Sequence, residues 1–487
     1  MTTSEIGILI SIIVYMVAII GIGVYYSKVN NSTEDFYLGG RKLGPFVTAM
    51  SAEASDMSSW LLMGLPGVAY LTGVCNAFWT AVGLGIGTYV NWLIVAKRLR
   101  KYSVICGDAI TVPDFFANRY RDKKVLKCVS ALMIIIFFVP YTASGFAACG
   151  KLFHSLFGVD YMAAMVISAI VIVAYTTLGG FWAASTSDFI QSIVMSVALI
   201  IVIGYGVYSV GGIDVVASNV KDLPGYINLN ATFDATTNSS SPYGIITIFS
   251  TLAWGLGYFG MPHILLRFMA IEDKNKIKLS RRIASVWVVI AMAVAIFIGV
   301  IGHTMSQVGV IDNLKDSETI IVQIANVLSS HGILFAIIAG VILAGILAST
   351  MSTSDSQLLA ASSSVTENLM DGVLGIKLSE KAKVIVARCT VIGIAIVAIF
   401  LASNPDSSVF QIVSFAWAGF GSTFGPVMLF ALFWKRSNKY GAISGMVAGG
   451  AMVFIWKFVV RPLGGAWDIY ELLPAFIVAC VFIIVIS

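Results

Sequence analysis

Apolar residues in this chain come in long runs, not in strand-like alternation. Runs of about twenty, parted by short polar or charged segments, recur along nearly the whole length. A helix of ~20 residues matches the ~30 Å hydrocarbon core of a bilayer. The pattern predicts about thirteen membrane-spanning helices, near 6–26, 45–71, 76–96, 125–155, 161–179, 189–211, 243–269, 283–307, 319–365, 382–402, 407–434, 440–460 and 468–486. The stretches 125–155, 243–269 and 319–365 exceed one simple span, so tilt, kinks or short flanking helices are expected there.

Composition supports this reading. The chain has 487 residues, 58% hydrophobic and 11% charged, where a soluble protein carries about 25% charged residues. Its mean hydropathy is +0.91. The spans fill residues 1–487, so the expectation is one all-α polytopic membrane domain, not a soluble domain with an anchor. No soluble catalytic or sensor domain is expected after the last span. The six cysteines show no CxxC spacing and there are only four histidines. That points away from a disulfide framework, a transition-metal centre or a cofactor. No nucleophile–base set suggests an enzyme. The N-terminus lacks the basic region and cleavage site of a signal peptide, so the first span should remain a helix.

The net charge of +5 marks topology, not affinity for nucleic acid. Loops 27–44, 97–127, 267–282, 366–388 and 435–439 alternate to one side. They hold every Lys and Arg except Lys151, Lys221, Lys315, Lys457 and Arg461. The positive-inside rule then predicts a multi-pass protein of the plasma membrane, N-terminus outside and C-terminus in the cytoplasm. The outer loop 212–242, rich in Asn, Ser, Thr and Asp, is expected to be partly ordered.

Polar residues interrupt the second span at SAEASDMSSWLLMGLPG, residues 51–67. A carboxylate at bilayer depth costs about 2.5–3.5 kcal/mol on insertion scales. Glu53, Asp56 and four serines there predict a broken helix lining a site. Where a helix breaks, carbonyls lose their i+4 donors and become neutral, hard ligands for an alkali cation. Ala54 and Met57 are three apart, so their carbonyls can face one point. Asp56 is the candidate for supporting that site. Glu53 is the weaker of the two acids and is expected to be structural or to face a water-filled vestibule.

The ninth span carries STMSTSDS, residues 349–356. Ser349, Ser352 and Thr353 stand at i, i+3 and i+4, one helix face. Their two hydroxyls and the Ser349 carbonyl would complete five oxygens with Ala54 and Met57, a plausible sodium shell. Helix–helix adhesion by small hydroxyl residues is the competing explanation. Asp355 is expected to turn toward the cytoplasmic vestibule. The seventh span contains WGLGYFGMPH, residues 254–263, with three glycines and a proline. A second break is expected there. Trp254, Tyr258 and Pro262 recur every four residues, on one face able to hold a small amphipathic solute.

The two breaks lie five spans apart. Spans 2–6 (45–211) and 7–11 (243–434) would then be two repeats, each opening with a broken helix. The first helix and loop (1–44) and the last two helices (435–487) would be peripheral.

SAEASDMSSWLLMGLPG, PYTASG with Tyr141, WGLGYFGMPHILLRFMA, ILASTMSTSDSQLLA and FAWAGFGSTFGPV resemble the solute:sodium symporter family, most closely its bacterial sodium/proline members. The resemblance covers all thirteen spans. It implies a leucine-transporter-like 5+5 inverted repeat and import of L-proline with sodium as coupling ion. By motif it implies sodium ligation by Ala54, Met57, Ser349, Ser352 and Thr353, with Asp56 essential. It places Ser58, Trp60, Tyr141, Trp254, Tyr258 and Pro262 at the substrate or its gates. Arg41 and Asp188 match loop residues that influence coupling. Ser59 and Met261 depart from the family pattern, where glycine and glutamine are typical. They leave open the same fold with another solute, such as pantothenate or another carboxylate. A membrane solute sensor is the more distant alternative, and no obligate protein partner is indicated.

Overall fold

The computed structural model describes residues 2–28, 33–122 and 124–487, apart from the side chains at 33, 175, 178, 380 and 381. Among the described residues, nine helices are long and apolar enough to cross a membrane. A tenth candidate is the bent pair Ile245–Phe259 and Pro262–Ala270, which turns by 46°. Tyr161–Ala174 and Leu472–Ile486 are shorter apolar helices. Large apolar side chains such as Val17, Ile170, Ile200, Val289 and Phe400 are exposed on the outside. Serines, threonines and carboxylates are buried within. This inversion of the soluble pattern is what a lipid surround requires.

Both expected breaks are present. Pro45–Ser59 is α-helical, Trp60–Gly64 is a π-helical turn, and Leu65–Thr72 resumes the α-helix. Ser58 sits at the discontinuity, with φ 48° and ψ −170°. The seventh span runs as Ile245–Leu252, then a 3-10 segment Ala253–Phe259, then Pro262–Ala270. In the 3-10 segment residues four apart lie about 120° from each other, so Trp254, Tyr258 and Pro262 do not form the single face that their spacing predicted. The proline instead opens the second half-helix, where its missing N–H costs nothing.

Several boundaries differ from the hydropathy reading. The region 319–365 separates into a short helix Ile320–Ser329 and a long one Ile333–Ser363. The region 161–211 is one helical run, Tyr161–Ser209, bent at Gly180 (φ 62°, ψ −165°) with no loop between its halves. Only glycine adopts that conformation freely. Asp188 is therefore not a loop residue, as the family resemblance implied. It lies inside the second half of this run and is fully buried.

The long helix Ile333–Ser363 is central. It packs on Thr3–Ser27, Pro45–Ser59, Val125–Phe157 and Tyr161–Ser209. Loop 212–242 is better ordered than expected. It forms a helix, Ile213–Lys221, and a hairpin pairing Ala231–Asp234 with Ser239–Pro242. Thr236 and Thr237 hydrogen bonds hold the Asp234 carboxyl down to about 2. The Tyr226 hydroxyl donates to the Ala69 and Tyr70 carbonyls at 2.9 and 3.2 Å, fastening the loop to the far half of the broken second span.

Gly83 and Gly87 of the third span meet the 3-10 segment of the seventh at backbone contact. A Cβ on Gly255 would fall 2.2 Å from the Gly83 carbonyl oxygen. Gly255→Ala must therefore push two backbones apart, at about 1–3 kcal/mol. A clear fall in thermal unfolding temperature of the purified protein is the expected result; an unchanged temperature would contradict this packing.

Loops sort to two ends as the alternation requires. At one end Arg41 donates to Asp108, Ser103, Ala109 and Met269, joining loops 27–44, 97–127 and 267–282. At the other, Lys151 pairs with Asp316 and Glu318, both at 2.8 Å. Glu318 also accepts from the Ser408 hydroxyl and the Val409 and Phe410 amides, at the start of the helix Val409–Phe433.

Candidate functional site

The site lies where the two broken spans face the ninth and eleventh. The Ser352 hydroxyl donates to the Ala54 carbonyl at 2.8 Å, a contact across 298 residues of sequence. It also reaches the Ser349 carbonyl at 3.2 Å, and the Thr353 hydroxyl reaches the same carbonyl at 3.1 Å. Ala54, Ser349, Ser352 and Thr353 thus share one small buried volume of hard oxygens. Met57 lies at the break, buried, and its carbonyl accepts from the Trp60 amide. Ser58 makes the discontinuity possible locally: its hydroxyl accepts from the Trp60 N–H at 3.1 Å, replacing part of the lost ladder.

Asp56 points elsewhere. The Tyr258 hydroxyl donates to its carboxylate at 2.5 Å, and the Tyr141 hydroxyl donates to its backbone carbonyl at 3.1 Å. The other carboxylate oxygen finds no hydrogen-bond partner among the described residues. Asp56 therefore links the break in the second span to the fourth and seventh spans. Glu53 does not face a vestibule: it is 1% exposed and accepts from the Trp92 indole at 3.1 Å.

Aromatic rings line the adjoining space. Trp60 lies 5.5 Å from Trp254 and 5.8 Å from Phe410, and Trp254 lies 5.4 Å from Phe410. Trp417 donates to the Trp254 carbonyl at 2.7 Å and meets the Tyr258 ring edge-on at 5.1 Å. A cavity of about 1710 Å³ opens above them, with Gly64, Phe410 and Ser414 in its lining and Lys151, Glu318 and Arg461 on its walls. Tyr470 stacks on Trp254 at 5.2 Å, and sequence reasoning missed it together with Phe410 and Trp417 in this cluster. Trp417 lay in the motif FAWAGFGSTFGPV without an assigned role, and nothing local marked the other two. Ser59 and Met261, the two departures from the family pattern, are both fully buried beside the breaks.

The opposite side of the site is closed by a buried polar knot. Arg267 donates to Asp188 at 2.9 Å, to Ser51 at 3.0 Å, to Ser356 at 2.6 Å and to the His263 carbonyl at 2.9 Å. Ser51 donates to Asp188 at 2.7 Å. Asp355 accepts from Ser356 and is 2% exposed, so it is not turned to a vestibule. Arg267 had no assigned role in the sequence reading, because an arginine near a span end reads as a topology marker. Arg41 sits at this same end, but among loops, away from the knot.

Broken helices around buried oxygens, beside a cavity of this size, define a membrane transporter of the discontinuous-helix type. Residues 36–449 match the family model described as "SSF: Sodium:solute symporter family". The chain belongs to that family. It is 42% identical over 485 residues to the osmoregulated proline transporter OpuE of Bacillus subtilis, covering 99% of this chain and 95% of that one. It is 41% identical over 486 residues to the sodium/proline symporter of Staphylococcus aureus (strain USA300), covering 98% and 92%. The structure of a Na⁺-coupled sialic acid symporter in a substrate-bound outward-open state superposes with TM-score 0.79 at 17% identity, covering 98% and 96%. Mhp1, a nucleobase-cation-symport-1 family transporter in a closed conformation, gives 0.55 at 14%, covering 94% and 95%. These two likenesses speak to fold.

Proposed function

We propose that this protein imports L-proline together with sodium by alternating access, and acts as a transporter, not an enzyme. The observation that carries the reading is the Ser352–Ala54 contact, which joins a hydroxyl of the ninth span to a backbone carbonyl next to the break of the second. The naming of the two bacterial relatives as proline transporters supports the solute. In this reading sodium takes the Ala54, Met57 and Ser349 carbonyls and the Ser352 and Thr353 hydroxyls, with Asp56 holding the unwound segment from behind. Proline lies between the break and the aromatic rings of Trp60, Tyr141, Trp254 and Tyr258, with Ser58 and Pro262 at the two helix interruptions.

The architecture belongs to the same reading. Thirteen crossings follow when the broken second and seventh spans and the two shorter helices are counted with the nine long ones. Spans 2–6 and 7–11 form the inverted repeat. The N-terminus lies outside the plasma membrane and the C-terminus in the cytoplasm. The wide cavity is then the outer vestibule, and the Arg267 knot is the closed inner side. Sodium entering from the vestibule bridges the second and ninth spans and orders the break for the solute. Closure over both ligands is followed by parting of the knot and release inside. The ion drives this only by its differential affinity for the two forms. A membrane potential of 100 mV supplies about 2.3 kcal/mol per sodium, or about fiftyfold accumulation.

Radiolabelled proline uptake into proteoliposomes, with and without an inward sodium gradient, tests this. Accumulation that needs the gradient is expected. Uptake indifferent to sodium would overturn the coupling. Sodium-dependent uptake of another carboxylate that proline does not compete with would overturn the solute alone.

A further inference from the structure

Tyr470 stands at the edge of the last helix, Leu472–Ile486, outside both repeats. Its ring nonetheless stacks on Trp254 at 5.2 Å with 22° between the planes. Three anchors hold it. Its hydroxyl donates to the Ser414 carbonyl at 2.7 Å, and its N–H donates to the Ser250 hydroxyl at 2.6 Å. The next residue, Glu471, is fully buried and accepts from Arg461 at 3.0 Å, with Lys457 at 3.5 Å. Arg461 in turn binds Asp468 at 2.8 Å. The segment joining the last two helices is thus cross-linked to itself and presses one ring into the heart of the bundle.

That ring is 7% exposed and makes contact with two elements of the candidate solute site. Ser250 lies one turn before Trp254 in the seventh span. Ser414 lies one turn after Phe410 in the eleventh, and both residues line the vestibule. The Trp254 ring is consequently bounded by Trp60 and Phe410 on the solute side and by Tyr470 as a fixed backing. Trp254 is 4% exposed and does not itself line the cavity, so the rings packed around it set its orientation. A near-parallel ring anchored by both its hydroxyl and its backbone N–H restricts the orientations left to it, and such a stacked pair contributes beyond simple burial. Preorganising a binding ring lowers the ordering cost paid when the solute arrives.

We infer that Tyr470 is a positioning residue for solute recognition: it fixes the Trp254 ring in its binding orientation, so the last two helices set affinity and selectivity for the solute without contributing to the ion site. The inference rests on the reading of Trp254 as part of the proline site.

The test uses the full chain in proteoliposomes, with proline and sodium half-saturation and maximal rate measured for Tyr470→Ala, Tyr470→Phe, Trp254→Ala and the Tyr470→Ala, Trp254→Ala pair. Tyr470→Ala is expected to raise the proline concentration for half-maximal uptake about tenfold, while the sodium requirement stays within about twofold. Tyr470→Phe keeps the ring and loses one anchor, and should fall between. The pair should be no worse than Trp254→Ala alone, because both act through one ring. The retained sodium requirement reports that the variants are folded. If Tyr470→Ala alters only yield or maximal rate and leaves proline half-saturation unchanged, the inference is overturned while Trp254→Ala still tests the site. Additive effects in the pair overturn action through Trp254. If Trp254→Ala itself leaves proline half-saturation unchanged, the solute-site reading fails first and the inference with it.

Discussion

Replacing Ser352 and Thr353 together by alanine is expected to raise the sodium needed for half-maximal uptake on the order of a hundredfold. Each hydroxyl is one of five proposed ligands. A hydrogen-bonding group facing a charge contributes about 1.5–3 kcal/mol, and 1.4 kcal/mol is about tenfold in affinity. Two such losses multiply. Ser349→Ala serves as the control: its proposed ligand is the carbonyl, and its hydroxyl donates back to the Ile346 carbonyl at 2.8 Å. It should shift the sodium requirement little. Uptake measured against sodium at saturating proline decides the matter. A double variant that still transports with the original sodium dependence would remove these hydroxyls from the ion site and leave them as helix adhesion.

The second large effect is expected at Arg267. Its guanidinium ties the second, sixth, seventh and ninth spans through Ser51, Asp188, the His263 carbonyl and Ser356. Arg267 and Asp188 are 1% and 0% exposed. Removing one partner of so buried a pair leaves a lone charge, at about 3–5 kcal/mol. Arg267→Leu should therefore lower thermal stability sharply and abolish accumulation. Asp188→Asn combined with Arg267→Leu removes both charges and should recover much of the stability. It should not recover transport, because the proposed inner closure would then lack the ion pair that holds it. Unfolding of the parent, of Arg267→Leu and Asp188→Asn singly, and of the pair completes the double-mutant cycle that measures their coupling. An Arg267→Leu protein as stable as the parent would refute the knot as a closing element.

Much of the candidate site was legible because its residues violate the rule of their surroundings. Asp56 and the serines around it stand out in an apolar run, and hydroxyls at i, i+3 and i+4 declare a helix face wherever that helix goes. The glycine–proline cluster at 254–263 announced a break for the same reason. What local pattern misjudged were residues whose partners are remote. Asp188 was placed in a loop by the family resemblance, and it falls in the gap between the predicted spans 161–179 and 189–211. The chain bends there without leaving the membrane, and Arg267 neutralises the acid from another helix. Glu53 stood between a structural role and a water-filled vestibule until its Trp92 partner decided for the first. The last two helices looked peripheral because their apolar periodicity is featureless, yet Tyr470 enters the aromatic cluster through a loop contact that no period encodes.

Hydropathy, charge alternation and backbone chemistry are properties of neighbours along the chain. They were enough to set the helical membrane class, the positions of both breaks and the face of the ninth span that carries hydroxyls. Which groups meet is a property of packing. Only the tertiary structure decided that Ser352 reaches Ala54, that Asp56 turns to Tyr258 and Tyr141 instead of toward those hydroxyls, and that Arg267 closes one side of the site. A buried polar group must find its partner wherever the fold provides it, and sequence distance puts no bound on where that is.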